Sequence, residues 1–246
     1  MKQVIVAKAT AVILGSFLAA TIQAAPLTLE DIASLKSVSS VRLSPNGDRI
    51  AYLQLVQREV YVEDDGRPHN ELHMVDLDGN STPFITGKVN IGNIAWAPDG
   101  NSLYFVSKRD ADAKFNSIWN IRIAGGEARN VYTHVSSIGS IYPSPDGSVI
   151  AFTATPAAPE KKADLEKKGF KAVIYEESAQ LAKVWLLDLE SGEAAEQDLD
   201  GHASNFTWAA DSERYAVALA DTPLVDDSFM SRDVYVVERS STEIQS

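Results

Sequence analysis

A seven-residue phrase returns four times along this chain, each time ahead of an apolar run. The copies are Val41–Gly47 (VRLSPNG), Ile94–Gly100 (IAWAPDG), Ile141–Gly147 (IYPSPDG) and Phe206–Ser212 (FTWAADS). Counted at the position of Pro45, Pro98, Pro145 and Ala210, the copies lie 53, 47 and 65 residues apart. A period of that size, made of strand-like runs and Gly/Pro turns, restricts the chain to a repeat architecture such as a propeller and argues against one compact sandwich.

Each phrase reads as a strand, a tight turn and a second strand. Apolar residues two apart (Val41 and Leu43, Ile94 and Trp96, Phe206 and Trp208) share one face of an extended chain. Proline presets φ for the turn, Asp or Asn suits the next position, and glycine accepts the left-handed conformation that closes it. The fourth copy replaces Pro and Gly with Ala210 and Ser212, which predicts a looser turn. The runs that follow, Ile50–Leu55, Leu103–Ser107, Val149–Thr153 and Tyr215–Ala220, are apolar at nearly every position, the mark of a sheet covered on both faces. A third strand follows in every unit (Leu72–Leu77, Ile118–Ile123, Val184–Leu189, Val234–Val237), and a short fourth in units such as Thr82–Thr86 and Ala128–Tyr132. The expected fold is therefore all-β, a β-propeller of four-stranded antiparallel blades. About four blades are expected, at 40–87, 88–134, 135–200 and 201–246, the third with an insertion over 155–182. No closing strand is evident after Val237, so the ring is expected to be incomplete, the first half of a larger propeller.

Residues 1–24 read as a secretory signal peptide. Lys2 and Lys8 form a basic start, Ala9–Ile22 carries no charge, and a cut fits between Ala24 and Ala25. Residues 25–39 are a lead-in to the first blade. The leader points to export, with the bacterial periplasm as the expected compartment. The chain has no cysteine, which excludes disulfides and thiolate metal sites and leaves stability to apolar burial. Its net charge of −12 becomes −14 once the two leader lysines are removed. With no basic stripe, nucleic acid is not an expected partner, nor is an anionic membrane surface. The acidity mildly favours cationic or free-amine peptides.

The lead-in and first unit, Leu27–Tyr52 (LTLEDIASLKSVSSVRLSPNGDRIAY), resemble the opening of bacterial S9 (prolyl oligopeptidase family) serine peptidases, best the acylaminoacyl-peptidase and dipeptidyl-aminopeptidase branches. The likeness runs through the repeats and a Lys-rich insertion in the third blade, covering residues 27–246. It implies a propeller of seven or eight blades that restricts access of oligopeptides to a C-terminal α/β-hydrolase domain, which holds the catalytic serine, aspartate and histidine. This sequence contains no G-x-S-x-G elbow, so no catalytic residue is assigned and the chain by itself is not expected to hydrolyse peptides. The SPDG repeats alone also occur in Tol-Pal-type periplasmic propellers, which bind protein partners without catalysis, and that is the alternative reading. A WD-repeat protein, suggested by Gly201–His202, ranks last because no Trp-Asp dipeptide closes a blade.

In the dipeptidyl-peptidase branch two adjacent glutamates clamp the substrate's free amino terminus. That resemblance makes Glu176 and Glu177 candidate amino-terminus ligands, although the ordinary reading of such a pair is a solvated acidic hairpin. Pro156–Gly169 reads as an exposed charged helix at the rim. His69 and His73 lack the H-e-x-x-h order of a zinc helix and, on a strand, stand too far apart to share an ion. His134 and His202 read as loop residues. Glu63–Gly66 and Asp76–Asn80 lack the full calcium-loop pattern and read as turns. No metal and no cofactor is expected. The regular spacing of Trp96, Trp119, Trp185 and Trp208 points to packing between blades. A half-propeller exposes an apolar face at each end, so the isolated chain is expected to self-associate.

Overall fold

In the computed structural model, the residues described are 26–109, 112–157, 164–165, 167–172, 179–240 and 244–245. They form four sheets, each a four-stranded antiparallel meander. The first comprises β1 (Ser37–Leu43), β2 (Arg49–Val56), β3 (His69–Asp76) and β4 (Ser81–Ile85). The second comprises β5 (Ile91–Trp96), β6 (Ser102–Ser107), β7 (Ser117–Arg122) and β8 (Arg129–Thr133). β9 (Ile138–Pro143), β10 (Val149–Ala154), β11 (Lys183–Asp188) and β12 (Ala194–Glu196) make the third. β13 (His202–Trp208), β14 (Arg214–Ala220), β15 (Asp233–Glu238) and the two-residue β16 (Ile244–Gln245) make the fourth. Two short helices, α1 (Leu29–Ala33) and α2 (Val225–Met230), bury no residue. Meanders of this kind stacked face to face are propeller blades.

Apolar packing lies between the sheets. Ala51, Leu53, Leu72 and Met74 of the first sheet meet Ile91, Ile94, Leu103 and Phe105 of the second. Val106 and Ile118 of the second meet Ile141, Ile150 and Phe152 of the third. Ala151 and Val184 of the third meet Phe206, Tyr215 and Val217 of the fourth. The unbroken apolar runs are thereby explained. On β6, Leu103 and Phe105 face one neighbour while Val106 faces the other; on β10, Ile150 and Phe152 face back while Ala151 faces forward. The outward faces of the first and fourth sheets keep Val38, Val41 and Leu43, and Val234 and Val236, exposed.

Polar bonds repeat at each joint. A residue at or next to the start of the third strand of one sheet is tied to the start of the first strand of the next. The Asn70 amide donates to the Ile91 carbonyl. Asn116 donates to the Ile138 carbonyl at 2.8 Å and accepts from the Ile138 N–H at 2.7 Å. At the third joint the corresponding residue is Ala182, which has no amide to offer. Its backbone carbonyl accepts from the Ala203 N–H at 2.8 Å, and its N–H donates to His202 Nδ1 at 3.0 Å. His202 therefore opens β13 and supplies from the next sheet what asparagine supplies elsewhere. The loop predicted for His202 is instead the start of β13. His134 lies in a loop as predicted, just past β8, and is buried there against Phe152 and Trp185 of the third sheet, its ring 4.5 Å from that of Trp185.

The four turns are also in contact. Ser44, Ala97, Ser144 and Ala209 each donate across the turn at 2.8–2.9 Å, to Arg49, Ser102, Val149 and Arg214. The fourth turn, expected to be looser, makes the same bonds as the others. Ser212 occupies the glycine position at φ 61°, beside 71°, 69° and 72° for Gly47, Gly100 and Gly147. A serine is held there because its Oγ, 1% exposed as a residue, accepts the Asp146 N–H of the preceding turn at 3.0 Å. Ser212→Ala removes that acceptor and keeps the left-handed strain; Ser212→Gly removes the acceptor but relieves the strain, each effect about 1 kcal/mol. Urea unfolding should therefore rank wild type at or above Ser212→Gly, with Ser212→Ala lowest by about 1–2 kcal/mol.

Burial lowers the pKa of both joint histidines. A histidine held neutral in the fold contributes stability above its unfolded value of 6.5, and that stability is lost as pH falls from 6.5 through the lowered value. The urea midpoint should drop between about pH 7 and pH 5. His202→Asn, which keeps an acceptor but does not titrate, should flatten part of that dependence and leave the share due to His134.

Candidate functional site

The innermost strands β1, β5, β9 and β13 run side by side, and their turn-proximal ends enclose a cleft of about 620 Å³ to which all four sheets contribute. That is within the range of small-ligand pockets, roughly 300–1,000 Å³. A bulge interrupts each of these strands before its turn: the register skips after Val38, after Ile91, between Ile138 and Ile141, and after Ser204. A bulge bends the strand and re-aims the side chains beyond it.

The walls are aromatic and pyrrolidine rings: Trp96, Tyr142, Phe206 and Trp208, with Pro45, Pro98, Pro143 and Pro145. Both tryptophans are fixed by one device. Trp96 Nε1 donates to the Arg42 carbonyl and Trp208 Nε1 to the Tyr142 carbonyl, each at 2.9 Å and each across a joint. The third sheet has Pro143 where the second and fourth have Trp, so its joint to the second uses Asn93 Oδ1, which accepts the Ile141 N–H at 3.2 Å. The four tryptophans thus serve as two pairs. Trp96 and Trp208 face the cleft; Trp119 and Trp185 are on third strands, where Trp119 Nε1 donates to the Ser107 carbonyl at 3.1 Å. His134 Nε2 and Trp185 Nε1 are buried without a partner.

Among the described residues, Arg42 is the only charged one that lines the cleft. The acidity of the whole chain is therefore not the charge that a ligand meets there, and it gives no preference for cationic peptides at this site. The sequence reading missed Arg42; the signal that could have found it is a lone arginine at the second position of the repeated phrase, where the other copies carry Ala95, Tyr142 and Thr207.

The remaining candidates take other places. Glu176 and Glu177 lie outside the described residues, as does the leader 1–24. Of the charged segment 156–169, residues 158–163 and 166 also lie outside them. Lys168 N–H there donates to the Asp164 carbonyl at 3.2 Å, a helical bond. His69 and His73 are taken up separately, by Glu63 and Glu71, each at 3.0 Å. The Glu59 N–H and His69 hold the Glu63 carboxyl down to about 2. Asp76 accepts from the N–H groups of Asp78 and Asn80, which is turn chemistry.

No protein-family model matches the chain. A curated relative, "Uncharacterized peptidase YuxL" of Bacillus subtilis (strain 168), is 27% identical over 227 residues, covering 86% of this chain and 34% of the relative. Acylaminoacyl peptidase of Pyrococcus horikoshii superposes with a TM-score of 0.62 at 14% identity, over 87% of this chain and 33% of that one. TolB of Acinetobacter baumannii gives 0.56 at 15% identity, over 85% and 43%. The structural likenesses show the fold. The chain spans about a third of the length of the curated relative it matches. The resemblance read from the lead-in and repeats is met by a relative named as a peptidase and by the propeller region of a peptidase structure.

Proposed function

We propose that this chain is the propeller portion of an exported S9-type serine peptidase. It gates and orients oligopeptides on their way to an α/β-hydrolase domain that is not part of this sequence. The observation that carries the reading is the axial cleft: a rigid aromatic pocket built by four successive sheets around one axis, in a chain whose curated relative is named as a peptidase. Gating needs an opening of fixed width, and the walls here are fixed by indole-to-carbonyl bonds across two joints. The leader reading supports export. The triad would lie in the hydrolase domain, with serine as nucleophile, histidine as base and aspartate as its orienter. Glu176 and Glu177 remain proposed ligands for a substrate amino terminus.

The fold likeness to TolB favours a second reading, a periplasmic propeller that binds protein partners without catalysis. The two separate on one measurement. The intact gene product should carry a G-x-S-x-G elbow downstream of Ser246 and be labelled covalently by a fluorophosphonate probe at that serine. A frame without the elbow, or a product that the probe does not label, would leave only the binding-module reading.

The exposed apolar faces of the first and fourth sheets fit the same proposal, since further blades would cover them. Residues 25–246 expressed alone should therefore self-associate. Sedimentation velocity showing a single monomeric species with a sharp, cooperative melt would count against it.

A further inference from the structure

The cleft differs in charge from the chain that carries it. The chain sums to −12, yet the described residues that line the cleft include one cation and no acid. That cation, Arg42, stands exposed at the end of β1, and its Nη1 donates to the Val41 carbonyl at 2.9 Å. Three arginines at the same end of the sheets each meet an aspartate: Arg49 with Asp48 at 3.8 Å, Arg214 with Asp211 at 2.8 Å, and Arg239 with Asp146 at 3.4 Å. Arg42 has no such partner among the described residues. Its guanidinium keeps donors for a ligand, and a guanidinium matches a carboxylate with two parallel N–H···O bonds.

The apolar wall stands next to this cation. Trp96 is bonded to the Arg42 carbonyl itself, and Tyr142 and Trp208 line the same space. Polar groups are present beside it: Ser140 and Thr207 line the cleft, and Asn93, whose Oδ1 is committed to Ile141, keeps its amide nitrogen. A cation set beside an aromatic wall matches a chain terminus, because in the last residue of a peptide the carboxylate and the side chain share one Cα.

We infer that the axial cleft binds peptides by their C-terminal carboxylate, with Arg42 as the counter-ion and an apolar last side chain against the Trp96, Tyr142 and Trp208 rings. This deepens the gating reading and rests on it for the class of ligand, a peptide. It assigns the cleft an end-group specificity opposite in sign to an amino-terminus clamp. Arg42 here holds the ligand and takes no part in bond cleavage.

The test uses the tryptophans that line the cleft as reporters. The intact protein is titrated with acetyl-Ala-Ala-Phe as the free acid, as its C-terminal amide, and as an acetyl-Ala-Asp-Phe amide. The free acid should bind at least about tenfold tighter than the amide, the scale of one charge-assisted hydrogen-bond pair. Raising salt from about 0.05 to about 0.5 M should shrink that preference, since the site is exposed. Arg42→Gln should abolish it with an unchanged near-UV spectrum, and Arg42→Lys should keep a reduced part of it. Equal binding of acid and amide overturns the carboxylate assignment and leaves peptide gating standing. An Asp-containing amide that binds as tightly as the free acid overturns the assignment to the chain end. An acid preference that survives Arg42→Gln overturns the role of Arg42, and no binding of any peptide overturns this inference and the gating reading together.

Discussion

The second and third sheets of this protein are covered on both sides, and that single constraint governs the rest. A strand such as β10 sends Ile150 and Phe152 into one joint and Ala151 into the next, so no sheet owns its apolar packing. Stability of this kind passes from neighbour to neighbour: it is a sum over joints more than a property of one core. The cleft follows from it. The innermost strands converge because the sheets behind them must stay in apolar contact, and the space left along the axis is the cleft.

Apolar packing is non-directional, and by itself it would let adjacent sheets slide. The polar bonds at the joints remove that freedom. Asn70, Asn116 and His202 fix where one sheet starts relative to the next, while the two indoles and the Ser212 hydroxyl fix the turn ends. The indoles do two things at once, since Trp96 and Trp208 brace the joints and also form the cleft walls. A wall tied to the backbone of its neighbour cannot collapse into an empty cleft. Rigidity of the opening is thus a by-product of how the sheets are joined.

Much of the fold was legible because strand and turn chemistry is local. Pro45, Pro98 and Pro145, the alternation of Leu103, Tyr104 and Phe105, and the Gly of the first three turns carry their structural meaning within a few residues. The candidate site was less legible. Trp96 and Trp119 look alike in sequence, yet one lines the axis and the other a third strand. Ser212 looks like the decay of a turn glycine until its partner, 66 residues earlier, is seen at Asp146. His202 looks like a loop residue for the same reason, because the N–H that it accepts belongs to Ala182. The charge of a site is likewise not the charge of a chain: Arg42 stands among rings and amides while the acids lie elsewhere.

The sequence by itself determined the repeat, the strand order within each unit, the turn type and the two-sided burial of the central strands, since periodicity and backbone preference are written residue by residue. Only the tertiary structure decided which sheets touch through which polar bonds, where the bulges bend the inner strands, and which side chains meet at the axis. Those outcomes depend on groups 20 to 66 residues apart reaching hydrogen-bond or van der Waals distance, and no local pattern encodes such separations.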